Sequence, residues 1–191
     1  MKSLLIFIFL LNAVGISSCA KSQTKLPPPS SIFSTPEIFE IKEFISKEDG
    51  FKADFVGTPR LIKKELPSAT VVTYQTNYKG TKTEITVTKI NIDIDFTSNQ
   101  ELINQRFISG FEARHKAKLL EEKEFEVEGR KGKEYTFEME VEHMKLRVLF
   151  FDQMGYQMNI SCTDWQLLNE NKKMEFESEA KRFFDSFALI K

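Results

Sequence analysis

Apolar and polar residues alternate along several segments from about residue 37 onward, and this period of two is typical of β-strands with one buried face. The alternating segments are Phe51–Phe55, Val71–Tyr78, Thr83–Asp95, Phe125–Val127, Glu134–Glu140, Met144–Phe150 and Tyr156–Cys162. Glycine-containing stretches between them predict turns at Gly57-Thr58-Pro59, Lys79-Gly80, Gly129-Arg130-Lys131-Gly132 and Met154-Gly155. The pattern therefore predicts an antiparallel sheet of about seven strands.

The long segment Thr83–Asp95 changes the parity of its apolar positions. Ile85 and Val87 lie on one face, whereas Ile90 and the isoleucines after it lie on the other. An extra residue in one strand produces such a change, so we expect a β-bulge near Lys89.

Two segments instead repeat apolar residues at intervals of three and four, which predicts amphipathic helices. Ser98 and Glu101 have the spacing of a capping box at the start of the first helix, which should fade near Lys118. Asp164 is expected to cap the second helical region. The apolar stripes are Leu102, Ile103, Phe107, Ile108 and Phe111 in the first helix and Phe176, Ala180, Phe183, Phe184 and Phe187 in the second. Helices packed across the faces of an antiparallel sheet give an α+β fold.

The first 18 residues have the pattern of an export signal. Lys2 supplies a positive charge, Leu4–Val14 is an apolar run interrupted only by Asn12, and small residues follow. This run is shorter than the roughly 20 apolar residues that span a bilayer. We therefore interpret residues 1–18 as a signal peptide and not as a membrane-spanning helix.

Cys19 stands where this signal peptide would end. Ile16-Ser17-Ser18-Cys19 resembles the lipobox of bacterial lipoproteins, in which the cysteine is lipidated and becomes the first residue of the mature chain. Ser18-Cys19-Ala20 also fits the small-x-small rule of ordinary signal peptidase, which would cut after Ala20 and release a soluble protein. We favour lipidation and expect the acyl chains on Cys19 to hold the protein durably at a membrane.

Residues 19–36 contain the anchor cysteine and a linker rich in proline and serine. Pro27-Pro28-Pro29 favours an extended conformation, so this segment is expected to act as a semi-rigid stalk. The remaining residues, 37–191, form the single α+β domain. We expect an exported protein, lipid-anchored at the bacterial cell membrane or outer membrane, with its domain on the periplasmic or extracellular side.

The net charge and the number of cysteines limit which binding partners and which disulfide bonds we expect. The formal net charge of −1 gives no basic footprint, so no nucleic-acid partner is expected. If Cys19 is acylated, Cys162 has no partner for an intrachain disulfide, whereas a free Cys19 would leave a Cys19–Cys162 bond conceivable. Cys162 continues the apolar alternation of its strand and is expected to be a buried, unreactive side chain.

One polar cluster resembles the opening of a calcium loop. Asn91, Asp93 and Asp95 have the spacing of the first ligands of an EF-hand. Phe96 and Leu102, however, occupy the positions where that loop requires glycine and a bidentate glutamate. We therefore expect the three polar residues to line the solvated face of a strand.

No catalytic, metal-binding or cofactor-binding residue is predicted. His115 and His143 are expected at the surface, and a hydrolytic site would require one of them beside a serine or Cys162. The basic stretch Arg130-Lys131-Gly132-Lys133 lacks the strand–loop–helix setting of a phosphate loop. Trp165, the single tryptophan, is expected to pack in the core.

Three short motifs together resemble the PsbP-like superfamily, in particular its small bacterial periplasmic lipoproteins such as the DcrB-like group. They are Phe55-Val56-Gly57-Thr58-Pro59, Gly129-Arg130-Lys131-Gly132-Lys133-Glu134-Tyr135 and Arg182-Phe183-Phe184-Asp185-Ser186-Phe187. Val56 departs from the proline common in the first motif, and Lys133 from the arginine usual in the second. The resemblance implies an α/β/α sandwich over roughly residues 45–190, with an accessory or binding role and no shared active site.

These observations predict a non-enzymatic, membrane-anchored protein of the cell envelope that holds a protein partner. Two alternatives stay open. The domain could bind a small ligand or a metal in a pocket between the sheet and a helix, or the protein could be secreted in soluble form if Cys19 is not lipidated.

Overall fold

The computed structural model describes residues 40–92 and 96–190, with side chains from residue 99 onward in the second range. The predicted signal peptide, Cys19, the linker, Asp93 and Asp95 lie outside these residues. The strands are β1 (Ile41–Ser46), β2 (Phe51–Val56), β3 (Arg60–Leu66), β4 (Ala69–Tyr78), β5 (Thr81–Ile90), β6 (Lys118–Val127), β7 (Arg130–Glu138), β8 (Glu142–Phe151), β9 (Met154–Thr163) and β10 (Ala188–Leu189). The helices are α1 (Phe96–His115) and α2 (Glu170–Ser186), with a single 3-10 turn at Trp165–Leu167. Within these ranges no helix has the length and apolar character needed to cross a bilayer.

Seven strands form one antiparallel sheet in the order β3-β4-β5-β9-β8-β7-β6, which confirms the predicted kind of sheet and its number of strands. The predicted strand Phe51–Phe55, however, lies in β2 and is not part of this sheet. A second, three-stranded sheet has the order β1-β2-β10. The edge strand β3 was not predicted. Six of its seven residues are exposed, so both of its faces are polar or solvated and its sequence lacks the alternation that marks a half-buried strand.

One face of the large sheet, which we name the α2 face, is covered by α2 and by the three-stranded sheet. Phe51, Ala53 and Phe55 of β2 are completely buried between them. The Phe55 ring lies edge-on to Phe183 of α2 at 5.7 Å between centroids, and Phe51 stacks on Phe187 at 6.0 Å. The helical stripe predicted for this region is therefore the core of the domain.

The opposite face, the α1 face, is covered in part by α1. Ile103, Phe107 and Phe111 are buried as predicted, whereas Leu102 is 40% exposed. The stripe packs on apolar residues at the end of β5 and along β7 and β8, namely Ile90, Tyr135, Phe137, Met144, Leu146, Val148 and Phe150. Helices on both faces of the large sheet confirm the predicted α+β sandwich.

The predicted β-bulge near Lys89 is wrong. The pairing of β4 with β5 continues without a shift through Ile90, and the pairing of β5 with β9 continues through Lys89. The parity of the apolar residues changes because this part of β5 is buried on both faces: Ile85 and Val87 contribute to the α2 face and Ile90 to the α1 face. Beyond Ile90 the strand ends, so Asn91 is an exposed residue outside the sheet.

Two predicted turns lie at different residues. The turn between β8 and β9 is formed by Asp152 and Gln153, both with positive φ, while Gly155 lies inside β9. The turn between β6 and β7 is formed by Glu128 and Gly129, so Gly132 lies inside β7. Glycine indicated the region of each hairpin correctly, but Gly132 and Gly155 lie inside strands, where each accommodates a neighbouring phenylalanine ring.

Both helices begin at other residues than predicted. α1 begins at Phe96, before Ser98, and ends at His115. The cap of α2 is Asn169, whose side chain accepts a hydrogen bond from the backbone N–H of Lys172 at 3.0 Å. Asp164 is left-handed at φ 56° and makes no capping bond with its side chain, so its predicted role is wrong.

Candidate functional site

A cleft of about 320 Å³ lies between α1 and the β6–β7 hairpin. It is lined by Gln100, Glu101 and Asn104 of α1, Glu124 of β6 and Lys131, Gly132 and Lys133 of β7. The side-chain amide of Gln100 donates a hydrogen bond to the backbone carbonyl of Lys131 at 3.0 Å, which ties the helix to the hairpin. The cleft is therefore built by three elements whose relative position is fixed by packing and by this bond.

Asn104 is the buried polar residue of the cleft wall. It lies next to Ile103 and one turn before Phe107 and Ile108, so it belongs to the packed side of α1. Its side chain is only 5% exposed, and its Oδ1 atom has no hydrogen-bond partner among the described residues. Leaving a buried acceptor unpaired costs about 1–3 kcal/mol, which makes Asn104 an unusual choice at a position that an apolar residue could fill.

The charges around the cleft are balanced. Lys133 pairs with Glu122 at 2.9 Å and Glu124 at 3.4 Å, and the hydrogen bond to Glu122 raises the pKa of Lys133. Glu101 accepts a hydrogen bond from the Gln105 amide at 3.0 Å. Within the described part of the chain, neither Glu101 nor Lys131 lies within 4.0 Å of an opposite charge. One carboxylate on the helix and one ammonium on the strand thus remain available to a ligand.

Gly132 holds the strand wall of this cleft in place. A Cβ atom at this position would lie 2.5 Å from the ring of Phe125 and 2.6 Å from the carbonyl oxygen of Val148. Both distances are far below van der Waals contact, so β7 can pass between its neighbours only because this residue has no side chain. The sequence motif containing Gly132 therefore has a packing role, which the interpretation as a turn missed.

The α1 face carries a second polar group of residues, on strands β4, β5 and β9. Its buried members are Thr73, Glu84, Thr86, Thr88, Gln157, Asn159 and Ser161. Glu84 pairs with Lys82 at 2.7 Å and accepts a hydrogen bond from the Asn159 amide at 2.9 Å, so its charge is compensated. Thr88 Oγ1, Gln157 Nε2 and Asn159 Oδ1 have no partner among the described residues. The α1 face is thus polar beside the area that α1 covers.

A buried ion pair attaches the β1–β2 turn to the large sheet. Asp49 is 1% exposed, and its carboxylate lies 2.7 Å from Lys89 Nζ and accepts a hydrogen bond from the Tyr74 hydroxyl. The Tyr156 hydroxyl donates to the Asp49 backbone carbonyl at 2.9 Å. Burial and the neighbouring carboxylate raise the pKa of Tyr74 to about 12, so the phenol remains a donor. This cluster has all its charges paired and serves the attachment of the small sheet.

His143 is buried, so its predicted surface position is wrong. It is 6% exposed and stacks on Trp165 at 4.2 Å between ring centroids, with Phe176 edge-on at 5.7 Å. Trp165, predicted in the core, is only partly buried and covers this cluster from outside. His115 is half-buried against the Phe111 ring at 4.6 Å. Sequence spacing gave no sign of the His143 contacts because Trp165 and Phe176 lie on two other elements.

His143 and Cys162 are direct cross-strand neighbours on β8 and β9. Burial lowers the pKa of His143 and raises the pKa of Cys162, so both side chains favour their neutral forms. Both ring nitrogens of His143 lack a hydrogen-bond partner within the described chain, and the Cys162 thiol donates to the Thr163 carbonyl. An activated thiol requires a hydrogen-bonded base, and this pair lacks that bond. Among residues 40–92 and 96–190, moreover, no three potential metal ligands converge.

No protein-family model matches the sequence, and the search of curated proteins found no similar protein. A search of solved structures found the solution structure of cyanobacterial PsbP (CyanoP) from Synechocystis sp. PCC 6803. The match has a TM-score of 0.57 at 13% sequence identity and covers 85% of this chain and 99% of that chain. At this identity the likeness concerns the fold alone: the domain has a PsbP-like α+β fold.

Proposed function

We propose that the chain is an exported lipoprotein of the bacterial cell envelope, anchored through acyl chains on Cys19, with a non-catalytic accessory or protein-binding role. The position of Cys19 directly after an apolar leader, in Ile16-Ser17-Ser18-Cys19, is the observation that carries this proposal. The PsbP-like fold is compatible with membership of the DcrB-like lipoprotein branch, which is part of the proposal.

The arrangement of the chain gives each part a physical role. Several acyl chains on one residue bind a bilayer durably, whereas a single chain binds only marginally. The proline-containing linker up to residue 36 would keep the domain, which begins near β1, away from the lipid surface. One face of the domain or its loops would then meet a protein partner in the envelope.

Detergent phase partitioning tests the anchor. We expect the wild-type protein expressed in bacteria to enter the detergent-rich phase and a Cys19→Ser variant to stay in the aqueous phase. Cys162→Ser is the matched control, because Cys162 lies in the folded domain and its replacement leaves the anchor intact. Aqueous partitioning of the wild type would contradict the proposal.

A second candidate function, binding of a small ligand, is favoured by the cleft between α1 and the β6–β7 hairpin. Its volume is at the lower end of the range of small-molecule sites, and it combines a buried unpaired acceptor with charges of both signs. The sequence analysis placed such a site in a pocket between the sheet and a helix, and this cleft lies between α1 and two strands of the sheet, with a lining that is mostly polar and charged. Equilibrium dialysis of the wild type and a Lys131→Gln variant against candidate metabolites separates this function from protein binding alone.

A further inference from the structure

We propose that the domain binds its protein partner through an apolar patch with an acidic rim, and that the partner presents apolar side chains flanked by lysine or arginine. The patch lies at the end of the large sheet where β9 leads into α2, and we name it the Trp165 patch. It consists of Val141, Trp165, Leu167 and Met174. This inference rests on the proposed protein-binding role and is independent of the lipid anchor.

Three side chains of the Trp165 patch are apolar and yet face solvent. Leu167 is 85% exposed, Met174 62% and Val141 61%. These are the highest values among the large apolar side chains of the described residues. Single exposed apolar residues are common on protein surfaces, whereas several of them at one place indicate a surface for interaction.

Hydrogen bonds and a ring contact show that these residues are neighbours. The backbone N–H of Asp164 donates to the Val141 carbonyl at 2.7 Å, which joins the β7–β8 turn to the residue before Trp165. The N–H of Leu167 donates to the Asp164 carbonyl at 2.8 Å. Lys173, the residue before the exposed methionine, has its Nζ atom 5.7 Å from the centroid of the Trp165 ring. The three exposed side chains therefore lie around one tryptophan.

The Trp165 ring is held in place before any partner arrives. It stacks on the buried His143 at 4.2 Å between ring centroids, and Phe176 lies edge-on to it at 5.3 Å. The ring is nevertheless only partly buried. A fixed aromatic side chain loses little conformational entropy on binding, and tryptophan is among the residues that contribute most to the affinity of protein interfaces.

The rim of the patch is acidic. Glu138 is the cross-strand neighbour of His143, Glu140 lies in the β7–β8 turn, and Asp164 directly precedes the tryptophan. Within the described residues none of these three carboxylates forms an ion pair, whereas the nearby Lys173 is paired with the glutamate three residues before it at 3.0 Å. The rim thus carries negative charge that the domain does not compensate.

This charge selects a basic protein over two other occupants with apolar surfaces. A second copy of the chain bound about a two-fold axis would bring the two acidic rims against each other. An anionic lipid surface would repel the rim in the same way. A protein with lysine or arginine around its own apolar side chains complements both parts of the patch, because it buries the apolar residues and pairs with the rim.

Fluorescence titration of the mature, full-length protein in phosphatidylcholine vesicles tests this inference. Trp165 is the single tryptophan of the sequence, so a tryptophan-free peptide of leucine and lysine leaves it as the only indole in the sample. We expect the emission to shift to shorter wavelength and to saturate with a dissociation constant of about 1–100 µM. Two matched peptides, with glutamate for lysine or serine for leucine, should bind at least about tenfold more weakly. Absence of a saturable shift up to about 1 mM, or equal binding of the glutamate peptide, overturns the proposal.

Variants assign the binding to the patch. Leu167→Ala and Met174→Ser each remove an exposed apolar side chain and are expected to weaken peptide binding by about 10-fold. A variant with both Glu138→Gln and Glu140→Gln should bind more weakly and lose part of the salt dependence. Leu61→Ala is the matched control, since Leu61 is 55% exposed on β3 and should bind the peptide like the wild type. Equal affinity of Leu167→Ala and Leu61→Ala would overturn the assignment to this patch and leave the protein-binding role standing, while detergent partitioning reports on the anchor separately.

Discussion

The two faces of the large sheet are covered by helices of similar length but differ in what they leave unpaired. On the α2 face, aromatic rings from α2 and the small sheet meet in a continuous apolar core. On the α1 face, α1 buries an apolar stripe over β7 and β8, but Asn104 interrupts that stripe beside an open cleft. The comparison indicates that the α2 face provides stability, whereas the α1 face retains polar groups that favour binding.

The same division is visible in the buried charges. Asp49, at the end of the small sheet, has its carboxylate paired with Lys89 and hydrogen-bonded by Tyr74. The cleft, by contrast, contains the buried Asn104 Oδ1 atom, which has no hydrogen-bond partner among the described residues. Buried polar groups are usually satisfied within the protein, so those that are not are better candidates for contacts with another molecule.

The largest expected loss of stability comes from a substitution in the apolar core of the α2 face, at Phe183. This side chain is 1% exposed and packs edge-on against Phe55. Phe183→Ala is expected to lower the free energy of unfolding by about 3–5 kcal/mol, because it removes buried apolar surface and leaves a cavity. Urea unfolding monitored by circular dichroism measures this change. Leu167→Ala, at a residue that is 85% exposed, is the control and should stay within about 0.5 kcal/mol of the wild type.

Removal of the Asp49 carboxylate should have the next largest effect. Asp49→Ala removes the carboxylate that pairs with Lys89 and accepts a hydrogen bond from Tyr74, and breaking a buried ion pair in this way costs about 3 kcal/mol. Chemical unfolding again gives the free energy, and hydrogen exchange of β1 and β2 should rise first if the small sheet loses its attachment. Unchanged exchange in these strands would show that the pair does not hold them.

A smaller effect is expected from Gly132→Ala at the wall of the cleft. The added methyl group would collide with Phe125 and with the Val148 carbonyl, so we expect a loss of about 1–3 kcal/mol in the free energy of unfolding. Gly129→Ala separates this collision from backbone strain, since Gly129 has φ 77° but open space around its Cβ position. If the two variants lose equal stability, packing against Phe125 is not the reason for the glycine.

The smallest effect is a pH dependence from His143. Burial lowers the pKa of this imidazole below its unfolded value of 6.5, so the unfolded chain takes up a proton at a higher pH than the folded one. The resulting stability is fully present above pH 6.5 and is lost as the pH falls from there toward the folded pKa. His143→Phe should flatten this part of a plot of unfolding free energy against pH, and a slope unchanged in the variant would assign it to other groups.

Much of the fold was predictable where a strand or helix buries only one side. The alternation in β2, β7 and β8 and the stripe of α2 follow from that asymmetry. β9 is buried on both faces, but one of them is polar, with Gln157, Asn159 and Ser161, so its sequence alternates as well. Prediction failed where a strand does not bury one side only. β3 is exposed on both faces, and β5 is buried on both faces near Thr86 and Ile90. A period of two carries no information in either case.

The candidate site was less accessible from the sequence. Its residues come from positions 100 to 133 on three elements, and their meeting depends on how α1 crosses the hairpin. One signal was present in the sequence: Asn104 stands beside Ile103 within an otherwise apolar stripe. Without the fold, a single amide on a helix cannot be distinguished from a residue that faces solvent.

The lipid on Cys19 is the claim on which the proposed location and role depend. Intact mass spectrometry of the mature protein purified from bacterial membranes tests it most directly. The account predicts a chain that begins at Cys19 and carries the mass of a diacylglyceryl group with or without a further acyl chain. An unmodified chain that begins at Lys21 would contradict it.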